Sequence, residues 1–363
     1  MDAVKLEAPQ VSVYTVPTDA PESDGTLAWS STTLVLVGID AGGKHGLGYS
    51  YANGATATLI RDTLAKVVEG RNALDIPGAW AAMVAAIRNL GRPGIASMAI
   101  AAVDNALWDL KAKLFGLSLL DLLGAVRETI PVYGSGGFTS YTDAQLRDQL
   151  GGWAHSGIRM VKMKVGREPE RDAARVRVAR AAIGGARLFV DANGAYSRKQ
   201  ALALADAFAG LGVSWFEEPR PSHDLAGLRL LRDRAPPGMD IAAGEYGYDA
   251  VYFRRMLAAG AVDVLQADAT RCAGISGLLG VATLCEAFDV PLSSHCAPSI
   301  HAQPLCALRP AIHAEYFHDH VRIEHLLFDG ALLPIDGALR PDRTRPGLGL
   351  ALKEQDAARY AVH

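Results

Sequence analysis

Two lysines spaced two residues apart, a series of acids that each end a short apolar run, and one histidine placed like the acids could do chemistry in this chain. In Val161-Lys162-Met163-Lys164-Val165 apolar residues alternate with lysines, the period of a strand, so both ammonium groups face one side. Each raises the cost of the other's charge, which predicts a lysine pKa lowered toward the range of a general base. Asp191 ends Phe189-Val190-Asp191, Glu217 ends Trp215-Phe216-Glu217, and Glu245 follows Ala242-Ala243-Gly244. Three carboxylates converging on a small volume repel unless a cation sits between them. Hard carboxylate oxygens favour Mg²⁺, which keeps positions open for substrate oxygens. Asp191, Glu217 and Glu245 are therefore candidate Mg²⁺ ligands, although any one alone is as readily a helix cap. Glu218 faces away from Glu217, whereas Asn193 shares the face of Asp191 and is a candidate for contact with metal or substrate. Asp268 ends Leu265-Gln266-Ala267-Asp268, and His295 ends Ser293-Ser294-His295. A carboxylate bonded to one imidazole nitrogen fixes the tautomer and raises basicity, so the two are read as a dyad.

Together these residues predict a reaction. A carboxylate substrate held at the cation lies between Lys164 and His295, and one of them takes the proton from the carbon next to the carboxylate. The enediolate that forms is stabilised by the cation, by Lys162 and by a protonated acid on the last strand. That acid is Glu315 by spacing, with Glu324 as the alternative if the last strand is Val321-Arg322-Ile323.

The elements that must position these groups follow from patterning. Val11–Val16, Thr32–Ile39 and Gly46–Tyr51 read as a three-stranded meander, with Asp40-Ala41-Gly42-Gly43 as a hairpin turn and Pro17–Thr26 as a polar loop. Helical patterns follow over Ala55–Val68, Ile76–Leu90, Ser97–Phe115 and Leu117–Leu123. From Pro131 strand-then-helix units succeed one another at a spacing of about 25 residues. Seven such strands point to a closed barrel with an eighth strand at Ala311–Tyr316, and catalytic groups of such barrels sit at the strands' C-terminal ends. The expected organisation is an α+β capping domain over 1–125, a barrel over 126–335, and a segment over 336–363 that returns to the cap.

The 363 residues are 50% hydrophobic and 21% charged, enough for a large core, and the net charge is −3. No basic stripe marks a nucleic-acid partner, and no apolar run is long enough to span a bilayer. Four cysteines without a Cys-x-x-Cys pair, and Met1-Asp2-Ala3-Val4-Lys5 without a signal-peptide pattern, predict a reduced, cytoplasmic protein.

As a set, Lys162 and Lys164, Asp191, Glu217 with Glu218 and Pro219, Glu245, Asp268, His295 and Glu315 resemble the enolase superfamily and, within it, the mandelate racemase subgroup. The resemblance implies a modified (β/α)7β TIM-type barrel under an N-terminal α+β cap, Mg²⁺ as cofactor, a small carboxylate substrate and a homo-oligomer. It also implies abstraction of an α-proton, with Lys164 and His295 as acid and base. Dehydration of an acid sugar leads among the outcomes. Racemisation of a 2-hydroxy acid and cycloisomerisation of a sugar lactone are the alternatives, and a catalytically silent barrel is the alternative outside enzymes. Specificity is expected from Pro17–Ser30, which carries Asp19, Glu22, Asp24 and Trp29 but no Lys or Arg and so suits a polyol better than a second carboxylate. Trp29, Tyr246, Asn193 and Lys162 are the candidate substrate contacts, and His45, Tyr49 and Tyr51 are expected near the cavity. His301, His313, His318, His320 and His325 are read as structural or substrate-shaping.

Overall fold

A computed structural model describes residues 3–362; the first two residues of the N-terminal pattern lie outside them. Three antiparallel strands open the chain: β1 (Gln10–Ser23), β2 (Ala28–Ala41) and β3 (Lys44–Tyr51). Gly42 and Gly43 form the two-residue turn between Ala41 and Lys44, both at positive φ, as a hairpin of this twist requires. The expected loop at Pro17–Thr26 is instead the continuation of the β1–β2 hairpin. Pro17 pairs with Ser31, the register slips, and pairing resumes from Glu22 and Trp29 to Ser23 and Ala28. Pro17 and Pro21 lack the amide needed for a regular ladder, and the slip absorbs them. The helix Ile95–Leu114 lies across β3. A Cβ at Gly48 would come within 2.2 Å of the Ala106 nitrogen, so only glycine permits this approach. The segment Ala55–Val68 is helical with a π-turn at Ile60–Leu64.

Eight parallel strands follow: β4 (Ile130–Gly136), β5 (Met160–Lys164), β6 (Arg187–Asp191), β7 (Val213–Glu217), β8 (Asp240–Ala243), β9 (Val264–Ala267), β10 (Leu292–Ser294) and β11 (Ala311–Phe317). They pair in sequence order, and β11 closes on β4 with Glu315 opposite Tyr133. Helices cover the outside, so both strand faces are buried and the strands read as apolar runs interrupted by the candidate site residues. The helix Pro298–Ala307 escaped the sequence reading because Pro304 lies inside it; Pro298 sits in its first turn, where a missing amide costs nothing.

The structure decides the eighth strand. Val321-Arg322-Ile323 belongs to the helix His318–Leu327, not to a strand. Glu324 is buried on that helix, where it accepts from Tyr49 Oη and Ser299 Oγ, each at 2.6 Å. The C-terminal residues contact both the cap and the barrel. Leu339 pairs with Ile130 on β4, the Leu348 amide donates to Asp109 on the capping helix at 2.6 Å, and the Val362 amide donates to the Val13 carbonyl at 2.9 Å.

Candidate active site

The C-terminal ends of the barrel strands bring the predicted groups together. One ligand atom from each of Asp191, Glu217 and Glu245 lies within 4.8 Å of the other two, and all three residues are buried. Asp191 and Glu217 are the last residues of adjacent strands and face each other in register. Glu245 reaches the same place because Gly244, at φ 139°, turns the chain where a Cβ would strike the Gln266 carbonyl oxygen. Left-handed backbone recurs at Asn193 (φ 46°), Glu218 (φ 36°), Cys296 (φ 51°) and Ala297 (φ 40°), each just beyond a strand end. Strain held by non-glycine residues in this way gathers where geometry is overdetermined by function.

Both lysines are buried among these acids. Lys162 Nζ lies 2.7 Å from Glu217 Oε2 and 2.7 Å from Glu315 Oε1, and Lys164 Nζ lies 2.5 Å from Asp191 Oδ2. The expectation of a lowered lysine pKa does not hold in this state. Burial opposes the charge of Lys164 and Lys162 adds to that, but Asp191, Glu245 and Glu217 together outweigh both and move the pKa up. Lys162 is likewise raised, with burial overcome by Glu217 and Glu315. Burial and then the Asp191 charge push Glu217 up to about 8, against the pull of Lys162. Burial would also raise Glu315, but Lys162 and His295 hold it below the usual carboxylate range, so it is ionised here rather than protonated. Its other oxygen accepts from the Cys296 amide at 2.7 Å.

The dyad is formed. His295 Nδ1 is 2.8 Å from Asp268 Oδ2, and the second oxygen of Asp268 accepts from the Thr270 amide at 2.7 Å. A carboxylate so held directs Nε2 of His295 away from Asp268, 3.4 Å from Glu245 Oε2 and 3.3 Å from Cys296 Sγ. Burial lowers the His295 pKa, but Glu245 and the bond to Asp268 raise it overall.

A cavity of about 460 Å³ between the barrel mouth and the cap is lined by Lys164 on one side and by Asp268 and His295 on the other. A larger one of about 700 Å³, lined by Tyr141 and Arg171, runs along the outer side of the hairpin and reaches none of the strand-end acids, so the chemistry belongs to the smaller. Trp29, Tyr246 and Asn193 line the smaller cavity as expected, and so does Tyr51. Lys162 lies beneath it, fully buried. His45 does not approach it, being bonded to Asp40 at the far end of the meander, and Tyr49 is turned to Glu324. Asp24 lines the cavity, but its Oδ1 is taken by the Thr26 and Leu27 amides of the hairpin turn. Arg271 and Cys296 also line it and escaped the sequence reading, and His320, expected to be structural or substrate-shaping, lines it too. The Arg271 guanidinium lies over the Tyr246 ring at 5.2 Å and reaches Glu245 Oε1 at 3.3 Å. A signal for Arg271 existed, three residues after Asp268, where one turn of chain returns to the same side.

Residues 10–124 match the family described as mandelate racemase/muconate lactonizing enzyme, N-terminal domain, and residues 145–357 match the enolase C-terminal domain-like family. The chain belongs to the mandelate racemase/muconate lactonizing enzyme family. It is an enzyme of that family, of lyase or isomerase type. A crystal structure of a mandelate racemase/muconate lactonizing enzyme-like protein from Rubrobacter xylanophilus is 57% identical, covers 99% of this chain and 100% of its own, and superposes with a TM-score of 0.97. The 3,6-anhydro-alpha-L-galactonate cycloisomerase of Streptomyces coelicolor is 32% identical over 98% of this chain and 99% of its own length. The L-talarate/galactarate dehydratase of Salmonella typhimurium, solved with Mg and L-lyxarohydroxamate, is 28% identical over 100% of this chain and 94% of its own, with a TM-score of 0.91. Among the described residues no helix is long and apolar enough to cross a membrane.

Proposed function

We propose that this chain removes the α-proton of a sugar-acid carboxylate and expels the β-hydroxyl, giving a 2-keto-3-deoxy acid. The observation that carries the reading is the placement of Lys164 and the His295–Asp268 pair on opposite sides of one cavity, across the three clustered carboxylates. The carboxylate cluster fits Mg²⁺ by its donors, and Glu245 Oε2 and Asn193 Oδ1 are buried there without a hydrogen-bond partner. Asp191, Glu217 and Glu245 would hold a divalent cation, which would supply charge for the substrate carboxylate and draw on acids that otherwise hold the lysine protons.

Lys164 accepts the α-proton in its neutral form, its ammonium having first given a proton to solvent in the cavity. Lys162, fixed between Glu217 and Glu315, presents positive charge to the substrate carboxylate as electrons move onto it. His295 protonates the departing β-hydroxyl, so the C–H and C–O bonds break, water leaves, and the enol becomes the ketone. Asp268 holds the ring in the tautomer this requires. Racemisation uses the same two groups, with the proton returned from the opposite face. Cycloisomerisation substitutes an internal oxygen for the hydroxyl, and the Streptomyces coelicolor relative makes it the second reading.

The cap wall of the cavity offers Trp29, Thr32, Thr33 and Asn53, and its cations, Lys164 and Arg271, are on the barrel side. Hydroxyl and amide groups opposite the acid-binding end suit a sugar monoacid. The test is a library of aldonic and aldaric acids incubated with Mg²⁺ and read with semicarbazide for a 2-keto product. A hit on an aldonate is expected. α-Hydrogen exchange with D₂O and no keto product would replace dehydration by racemisation or cycloisomerisation.

A further inference from the structure

A second cluster of ligand-type side chains lies outside the barrel mouth. Asp19 and Glu22 on β1, and His318 directly after β11, each offer an atom within 4.8 Å of the other two. His318 Nε2 is 3.0 Å from one Asp19 carboxylate oxygen and 3.2 Å from the other. Glu22 is only 1% exposed; its Oε2 accepts from Trp29 Nε1 at 2.7 Å, whereas its Oε1 is buried with no hydrogen-bond partner. An unpaired buried carboxylate oxygen is costly, and it marks a missing partner. No neighbour bonds to it. Asp319 accepts from Thr32 and Arg322, and Arg322 gives one terminal nitrogen to Asp319 and the Pro17 carbonyl, while its Nε is buried without a partner as Glu22 Oε1 is. Asp19 and Asp319 lie near Glu22, and burial, then the Asp319 charge, push its carboxyl up to about 8.

We propose that Asp19, Glu22 and His318 bind a divalent transition-metal ion, Zn²⁺ in the first instance, which ties the capping hairpin to the end of the eighth barrel strand. Donor atoms about 3 Å apart span one edge of a shell with bonds of about 2.0–2.2 Å. An imidazole beside two carboxylates selects Zn²⁺ over Mg²⁺, because Mg²⁺ prefers oxygen donors alone. The His318 ring is set edge-on against Phe138 and Trp153, at centroid distances of 6.3 and 6.5 Å, so its direction is fixed by packing. Asp19 and His318 are partly exposed, which leaves a route for the ion and room for water ligands. None of the three residues lines the cavity of the catalytic groups, so the proposal stands apart from the reaction. It departs from the sequence expectation for His318, which was a structural or substrate-shaping role and not a ligand.

The test uses Co²⁺ as a visible-absorbing probe for Zn²⁺, in excess Mg²⁺, on the chain carrying Asp191→Asn and Glu245→Gln so that the mouth carboxylates do not contribute. One equivalent is expected after equilibrium dialysis, displaced by Zn²⁺. Adding His318→Ala or Glu22→Gln is expected to weaken binding at least about tenfold, with folding checked by thermal melting. In the unaltered chain the same two substitutions take bound Co²⁺ from two equivalents to one, which serves if the double variant fails to fold. Zn²⁺ is also expected to slow amide exchange over residues 17–30, and to do so no longer after His318→Ala. No bound equivalent in the parent, or equal binding after either substitution, overturns the site.

Discussion

The same barrel strands carry opposite chemistry two residues apart. On β6 it is Phe189 and then Asp191, on β7 Trp215 and then Glu217, on β11 His313 and then Glu315. A two-residue period keeps both members of each pair on the inner face. The first member lies on the barrel floor and the second at the mouth. The floor is a stack of rings: Phe189 on Trp215 at 5.2 Å, Tyr133 against His313 at 4.9 Å, and Trp215 near His313 at 5.3 Å. Lys162 Nζ marks the boundary, 5.1 Å from the centre of the Tyr133 ring below and bonded to Glu217 and Glu315 above. The floor contributes burial and rigidity, and the mouth gathers like charges that destabilise the chain unless paired. The two ends should therefore fail in different ways.

The largest effect is expected at the mouth. Lys164→Ala and His295→Asn should each lower turnover on any substrate found by about 10²–10⁴, the usual contribution of a positioned acid or base. If either variant keeps wild-type kcat, that residue moves no proton and the assignment of the mouth is wrong.

At the floor, Trp215→Ala should lower unfolding free energy by about 3–5 kcal/mol, since a large buried ring is lost and the closed barrel has little room to collapse. Trp215→Phe should recover most of that while leaving Glu217 without its indole donor, now at 3.1 Å. Urea denaturation of the variants measures both. A loss in Trp215→Ala no larger than that of a surface substitution would remove the distinction between floor and mouth.

Ligand binding sharpens the same contrast. A cation bound by Asp191, Glu217 and Glu245 in the folded state alone adds stability as its concentration rises, ~2.7 kcal/mol at a hundred times Kd. Mg²⁺ should raise the unfolding midpoint of the wild-type and Trp215→Phe proteins equally, and Asp191→Asn should abolish the rise. A rise that persists in Asp191→Asn would place the stabilising ion elsewhere, with Asp19, Glu22 and His318 the next candidates.

How much of this the sequence carried differs between regions for a physical reason. The mouth residues sit at strand ends, and strand ends are legible because a short apolar run stops there; Glu315 followed from the same repeat that placed Asp191 and Glu217. Roles that depend on contacts between distant segments were not legible. Whether Asp19 faces the cavity or His318 is decided by the register slip after Pro17, and pairing past two prolines leaves no periodic trace. Cys296 enters the cavity because two successive residues adopt left-handed backbone without glycine, against their own propensity. The lysine pKa departs from the sequence expectation for a related reason. The sequence shows that Lys162 and Lys164 are neighbours, but not that Asp191, Glu217 and Glu315 pair directly with them.

The smallest predicted effect returns to the floor and uses its imidazole. His313 is buried, with Nδ1 2.9 Å from Ser293 Oγ, and burial, then Arg187 and Lys162, lower its pKa from 6.5 to about 3. A depressed histidine favours the neutral form on folding. Its contribution is thus fully present above pH 6.5 and is lost as pH falls from there toward about 3, at ~1.4 kcal/mol per pH unit. His313→Gln can keep a bond to Ser293 and cannot titrate. Between pH 7 and about pH 5.5 the wild type should lose ~1 kcal/mol more stability than this variant, read as the difference in urea unfolding free energies. Groups at the mouth titrate in both proteins and cancel in that difference. Equal losses in the two would mean that the floor accommodates an imidazolium, and that the boundary at Lys162 does not separate a charged region from an apolar one.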